Sequence, residues 1–500
     1  LKNDYFANTQ LYSMVNNEDK QSNAVSDESR RRFLRNAGIA AAGFYIVPRH
    51  VLGGKGYVAP SDKLLIAGVG AGGKGGDDIT QFSKSPNAEI AYLCDVDDRQ
   101  AADLRKKFPK AKYFKDWRQL FEKENKHFDA VSVGIPDHNH AIVAFHAMQL
   151  GKHVYVQKPL THDIYEARIL TEAADRFKVV TQMGDQGSSH DDLRTLREWY
   201  DAGLIGEVHT VYCWTDRPVW PQGIAWPKAE PKIPAGLDWD LWLGTAEKHD
   251  YIDNLVPFNW RGWWDFGTGA LGDMGCHIIG PVFKILDLGY PTSVHASAST
   301  IYSGIFKEAY YPESGPVSSM LSFNYKLKNG KDIKLTWMDG GIQPERPDEL
   351  KPNELLGGGS NGALLIGTKG KMAFDIYGAK PQLIPTSRMA DVKVPQKYPR
   401  VPGSYMGHYV QWVDACRAGY EKAVVDSPFK GYAGPLTESI LMGNLALLSF
   451  NFREKKGDGF VYPGRGITLE WDAQNMRVTN FEPANQFVKR KYREGWPELK

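Results

Sequence analysis

Cysteine is scarce: Cys94, Cys213, Cys276 and Cys416 are four in 500 residues, and no two form a C-x-x-C pair. That excludes a disulfide scaffold and the common zinc or dithiol spacings, and it predicts free thiols. An excess of either charge is also missing, the formal net being +2, and the one dense basic cluster is Arg30, Arg31, Arg32 and Arg35. Without a basic face in the body of the chain, nucleic acid is not an expected partner. The weakly apolar stretch from Ala37 to Val47 falls short of the roughly 20 residues that a membrane-spanning helix takes. What the chain does have is 42% hydrophobic content and fourteen tryptophans, many between Trp214 and Trp264. The first is enough for about two domains with a sizeable core. The second leaves two readings open, sugar stacking and ordinary core packing.

The basic cluster opens a segment, residues 29–54, with a charged head and a short apolar body, the pattern of an address and not of a fold. Ser29 to Arg35 resembles the twin-arginine export signal, which carries folded proteins. Residues 1–28 are polar and Asn-rich and read as a disordered extension, with Met14 a plausible start. Export through the twin-arginine machinery predicts a periplasmic or exported protein. Any dinucleotide would then have to be loaded before export and held tightly.

A Rossmann domain is expected over residues 62–185. Leu64 to Ala67 form an apolar strand running into Gly68-Val69-Gly70-Ala71-Gly72-Gly73. In G-x-G-x-x-G the first glycine permits the turn, the second lets backbone approach a pyrophosphate, and the third lets helix and strand pack closely. The phosphates then meet the N-terminal end of the following helix. A second strand ends at Asp95, near the spacing at which an acid reads the ribose 2′-hydroxyl. A carboxylate there repels a 2′-phosphate and favours NAD over NADP, with Arg99 moderating the preference. Alternating strands and helices continue through Phe128–Val133, Ala141–Leu150 and His153–Val156, which implies a parallel, doubly wound sheet. Two strand ends carry chemistry, Pro136-Asp137-His138-Asn139-His140 and Gln157-Lys158-Pro159-Leu160. His138, His140 and Asp137 are a weak metal pattern with no set of ligands to complete it, so no metal is predicted.

The glycine turn, the PDHNH loop and the strand ending in QKPL together resemble the glucose-fructose oxidoreductase, inositol dehydrogenase and rhizopine catabolism (Gfo/Idh/MocA) family. The resemblance implies a Rossmann domain followed by a C-terminal α+β domain, here residues 186–465, with a large, mainly antiparallel open sheet. It implies that Lys158, Asp273 and His277 line the reacting carbon, and that Pro136, His138, His140 and Gln157 lie beside the cofactor. It also places helices near residues 405–450 back against the Rossmann domain. The family pattern has Glu before the lysine, and Gln157 removes that anion.

In the second domain, Ser319–Tyr325, Ile333–Met338 and Ala363–Ile366 read as strands. The open sheet face is expected to be apolar and covered in a homo-dimer or homo-tetramer. Asp273 and His277, four apart, share one face if helical, with residues 267–272 as the loop that delivers them. His277 suits a base for a hydroxyl proton and Lys158 a stabiliser of charge on oxygen. Arg217, Trp220, Arg261 and Trp263 are candidate sugar contacts, with Gln186 and His408 further candidates. Residues 466–500 read as an arm that wraps a neighbouring subunit. The expected function is oxidation of a secondary hydroxyl of a sugar or glycoside. The alternatives are a redox-cycling glycosidase or epimerase with tightly held NAD, and a non-catalytic sugar-binding protein.

Overall fold

The computed structural model describes residues 62–228 and 232–500. The export segment and the extension before it lie outside the described residues. The first domain is a six-stranded parallel sheet built from β1 (Leu64–Val69), β2 (Ala88–Cys94), β3 (Lys112–Phe114), β4 (Ala130–Val133), β5 (His153–Gln157) and β6 (Thr181–Gly184), ordered β3-β2-β1-β4-β5-β6. Its central strands are buried on both faces, as a parallel sheet under helices requires. Helices α1 (Gly73–Phe82), α2 (Asp98–Lys107), α3 (Trp117–Glu124), α4 (His140–Gln149) and α5 (Ile164–Phe177) connect them. The order reverses beside β1, and that switch point opens a crevice at the strands' carboxyl ends. The short β3 has no buried residue to give it a sequence signal.

The second domain begins with α6 (Asp191–Asp201), β7 (Val208–Trp214), α7 (Trp239–Leu243) and α8 (Gly269–Leu286). Its strands then run β8 (Pro291–Ala298), β9 (Ser319–Lys326), β10 (Asp332–Met338), β11 (Gly362–Gly367), β12 (Gly370–Phe374) and β13 (Gln382–Ile384). Helices α9 (His408–Ala418) and α10 (Gly434–Asn451) precede β14 (Thr468–Asp472) and β15 (Arg477–Val478). The nine strands form one mixed sheet, β13-β12-β11-β7-β10-β9-β8-β14-β15, in which only β7 and β10 pair in parallel. The expected α/β architecture is present, with an N-terminal Rossmann sheet and a large, mainly antiparallel C-terminal sheet.

The outward row of the large sheet is polar where Ser322 pairs with His295 and Thr336, and Asn324 with Ser293 and Lys334. The same face turns apolar across β10, β7 and β11, where Tyr212, Trp214, Met338 and Leu364 cluster. Two expectations need correction. The segment after residue 465 supplies β14 to this sheet, and its remainder returns to its own chain. Tyr165 N–H donates to Val488 O at 3.1 Å, and Arg493 pairs with Asp240 at 2.6 Å. Finally, α8 starts at Gly269, so part of the expected delivery loop is already helix.

Helix α9 closes one face of the Rossmann sheet. Tyr409, Trp412, Val413 and Cys416 join Ile66, Ile79, Phe82 and Tyr155 in one buried cluster. Phe82 meets Tyr155 edge-on at 5.0 Å and Trp412 at 4.9 Å, and such aromatic pairs add about 0.5–1.5 kcal/mol each beyond burial. All four cysteines are free and buried.

Candidate active site

The glycine turn leaves β1 in a form that only glycine takes without strain. Gly70 has φ +92°, and a Cβ there would stand 2.3 Å from Gly134 O. A Cβ at Gly72 would stand 2.6 Å from Gln100 Cβ. Helix α1 then begins with no side chain capping it, which leaves its positive end for an anion. Gly70, Gly72, Gly73, Asp95, Pro136, Gln157, Lys158, Arg261 and Asp273 all line one cleft, while Ala71 sits buried beneath the turn.

Asp95 accepts the Ala71 N–H at 2.8 Å and the Asp97 N–H at 2.9 Å, one on each oxygen. Each oxygen keeps a lone pair for a further donor. Burial pushes its carboxyl up to about 6 against these two amides, so the anion still dominates at pH 7. Arg99 is committed to Asp97 through contacts of 2.8 and 2.6 Å. The donors and the shape fit a dinucleotide whose ribose carries a free 2′-hydroxyl.

At the other end, strand β5 delivers Lys158 and helix α8 delivers Asp273. Lys158 Nζ donates to Asp273 Oδ1 at 2.8 Å and to Asp273 O at 2.7 Å. Arg261 Nε reaches the same Oδ1 at 3.3 Å, with its guanidinium 4.4 Å from the Trp260 ring. Burial would raise the Asp273 carboxyl, but Lys158 and Arg261 outweigh it and hold it well below the usual carboxylate range. One helical turn on, His277 Nδ1 lies 3.3 Å from Asp185 Oδ1, and Asp185 accepts Tyr432 Oη–H at 2.9 Å. Burial, then the Lys158 charge, lower the His277 pKa against the pull of Asp185. His277 is buried one turn beyond Asp273, and the Tyr377 ring stands edge-on 4.6 Å from it.

The anion missing at position 157 is supplied from behind. Gln157 Nε2 donates to the fully buried Asp78 at 2.6 Å, and Asp78 also takes Lys74 Nζ at 2.6 Å and Tyr409 Oη at 2.9 Å. No sequence signal marked Asp78, since of its partners only Lys74 is local, one helical turn before it, and Gln157 and Tyr409 come from distant segments.

Other candidates are placed away from the cleft. His138 is enclosed between Trp242 O and Phe266 O, and burial drives its pKa down to about 3. His140 bridges Pro159 O at 2.9 Å and Ile135 O at 2.7 Å, tying the two functional loops together. His408 lies between Ser189 and Met183 O, lowered by burial to about 4. Gln186 donates to Tyr155 Oη at 2.9 Å, and Arg217 pairs with Asp216. Trp220 donates to Gln222, and Trp263 packs against Trp226 at 4.7 Å. The indoles that do line the cleft are Trp117, Trp242, Trp260 and Trp496, which sequence alone did not separate from the rest.

Residues 64–185 match the model of the oxidoreductase family NAD-binding Rossmann fold, and residues 207–304 that of the oxidoreductase family C-terminal alpha/beta domain. These matches identify the Rossmann domain, and the start of the domain after it, as those of the Gfo/Idh/MocA oxidoreductase family. Among similar proteins is a glycosyl hydrolase family 109 protein of Shewanella pealeana, 28% identical over 203 residues, which are 36% of this chain and 44% of that protein. Another is the levoglucosan dehydrogenase of Pseudarthrobacter phenanthrenivorans, 23% identical over 187 residues, 37% of this chain and 40% of that one. The chain spans less than half the length of the curated relatives it matches. A solved levoglucosan dehydrogenase in complex with NADH and L-sorbose shares the fold at TM-score 0.51 and 17% identity, over 76% of this chain and 96% of that one.

Proposed function

We propose that this protein is an NAD-dependent oxidoreductase that removes hydride from a secondary hydroxyl-bearing carbon of a sugar or glycoside. The observation that carries the reading is the Lys158–Asp273 contact of 2.8 Å on the wall of the glycine-turn cleft, with His277 one turn further along α8. Bound NAD supplies the hydride acceptor. Lys158 binds the reacting oxygen and opposes the negative charge that develops on it. Asp273, held anionic between Lys158 and Arg261, fixes the ammonium's position. His277 takes the hydroxyl proton at Nε2 while its Nδ1–H faces Asp185, and the product is a keto-sugar.

The relatives named glycosyl hydrolase family 109 favour a second reading. In it the same residues oxidise the sugar transiently, a bond next to the new ketone breaks or inverts, and the hydride returns. Incubation with a panel of sugars, anhydrosugars and glycosides separates the two. Net NADH with a keto-sugar is the expected result, whereas cleaved or inverted sugar without net NADH selects the cycle. Neither turnover nor exchange of labelled hydride with NAD would overturn both.

The export reading of residues 29–54 is part of the same proposal, with NAD loaded before export and retained. Replacing Arg30 and Arg31 by Lys is expected to leave the protein in the cytoplasm. An unchanged distribution on cell fractionation sinks that part alone.

A further inference from the structure

The C-terminal arm ends on the dinucleotide cleft. Trp496 lines it beside Trp117, with ring centroids 6.3 Å apart, and Arg118 stands over the Trp496 ring at 4.8 Å. Both indoles are half-buried. Trp117 follows β3, whose Phe114 pairs with Cys94, the residue before Asp95, and Asp95 N–H donates to Phe114 O at 3.1 Å. The aromatic wall therefore flanks the Asp95 end of the cleft, away from Lys158 and Asp273.

The arm is fixed there and does not merely rest on the surface. Arg493, itself buried, pairs with Asp240, donates to Gly244 O at 3.1 Å, and its own N–H reaches Thr245 O at 3.0 Å. Arg490 binds Glu166 at 2.9 Å and Thr245 Oγ1 at 2.8 Å, and Tyr492 Oη donates to Glu166 at 2.7 Å. Asp240 to Thr245 surround Leu241 and Trp242, which line the same cleft. The segment ahead of them is pinned to the ends of β2 and β3, where Asp238 N–H donates to Val96 O at 2.9 Å and Lys115 Nζ to Gly236 O at 2.9 Å. One set of ion pairs and hydrogen bonds from Arg490 and Arg493 thus holds two cleft walls, neither of which belongs to the Rossmann sheet.

We infer that Trp496, with Trp117, forms the adenine-binding wall of the dinucleotide site, and that the C-terminal arm is the strap that holds the nucleotide in place. The inference rests on the proposed NAD-dependent function. A flat, half-buried indole beside the ribose-reading carboxylate presents the π face and apolar area that an adenine ring needs. Stacking of this kind is worth about 1–3 kcal/mol per base where it has been removed by substitution in single-strand binding proteins, equivalent to roughly 5- to 150-fold in affinity.

Equilibrium binding to nucleotide-free protein tests it without any sugar substrate. Trp496→Leu is expected to weaken NAD and ADP-ribose by about tenfold or more, to leave nicotinamide mononucleotide unchanged, and to speed NAD release on dialysis. Trp496→Phe, which keeps an aromatic face, is expected to stay close to the unmodified protein, and it keeps the comparison open if the Leu variant does not fold. Equal ADP-ribose affinity in Trp496→Leu and the unmodified protein overturns the inference while leaving the NAD-dependent function standing. Equal losses of ADP-ribose and nicotinamide mononucleotide, or a Phe variant as weak as Leu, also overturn it. An unmodified protein that binds neither NAD nor ADP-ribose overturns both.

Discussion

Replacing Lys158 by Met is expected to lower kcat/KM by about 10²- to 10³-fold, the usual loss when one donor to a developing oxyanion is removed, with NAD affinity changing far less. Met keeps most of the side chain's length while removing the charge. Two carboxylate and imidazole consequences follow from the geometry. Asp273 loses the larger of the two cations that hold its pKa down, and since burial alone pushes it upward, the carboxyl should rise. His277 loses a positive neighbour that disfavours its protonated form, so its pKa should rise as well. The acid limb of any residual activity should therefore move to higher pH in Lys158→Met. A variant with full turnover, or one whose acid limb shifts downward, would remove Lys158 from the reacting centre.

The companion result concerns His277. Substitution by Ala is expected to cost about 10²- to 10⁴-fold in kcat/KM, the range for losing a positioned general base. The pH profile discriminates a base from a packing residue. Burial and Lys158 place the His277 pKa below the ordinary histidine value of 6.5. A base with a lowered pKa stays neutral, and competent, at pH 7, and activity is lost only as pH falls through that lower value. The unmodified enzyme should thus be flat across neutrality, with its acid limb below 6.5, and that limb should vanish in His277→Ala. If the limb persists unchanged in the variant, another group sets it and His277 serves only to pack beneath Tyr377. Binding of NAD, measured alongside, should be nearly the same in both proteins.

What could be read in the sequence was what local chemistry dictates. Gly70 and Gly72 announce themselves because no other residue tolerates the close backbone approach, and Asp95 because strand length sets its distance from the turn. Asp273 and His277 were legible as one helix face, since a four-residue spacing has a single geometric meaning in α8. The histidines of the PDHNH loop were not. Whether His138 faces a ligand or the carbonyls of Trp242 and Phe266 depends on residues over one hundred positions away. The tryptophans failed for the same reason: Trp263 is core and Trp260 is cleft wall, though they are three residues apart. Trp496 lies in a segment with no period at all, where irregular backbone anchored by Arg490 and Arg493 carries no pattern to detect. The division of the large sheet's outer face into a polar part around Ser322 and Asn324 and an apolar part around Trp214 and Leu364 was not legible, because it depends on which strands lie side by side.

Helix α9 has a bearing on synthesis as well as on packing. Tyr409 and Trp412 complete the hydrophobic layer over β1 and α1, and Tyr409 closes the hydrogen bonds of Asp78, yet they lie about 225 residues beyond the last strand of the Rossmann sheet. At roughly 5–20 residues per second of translation, the finished strands wait on the order of ten to forty seconds with Ile79 and Phe82 uncovered. The layer over Ile79 and Phe82, and with it the full set of hydrogen bonds to Asp78, is therefore closed only once α9 has been made.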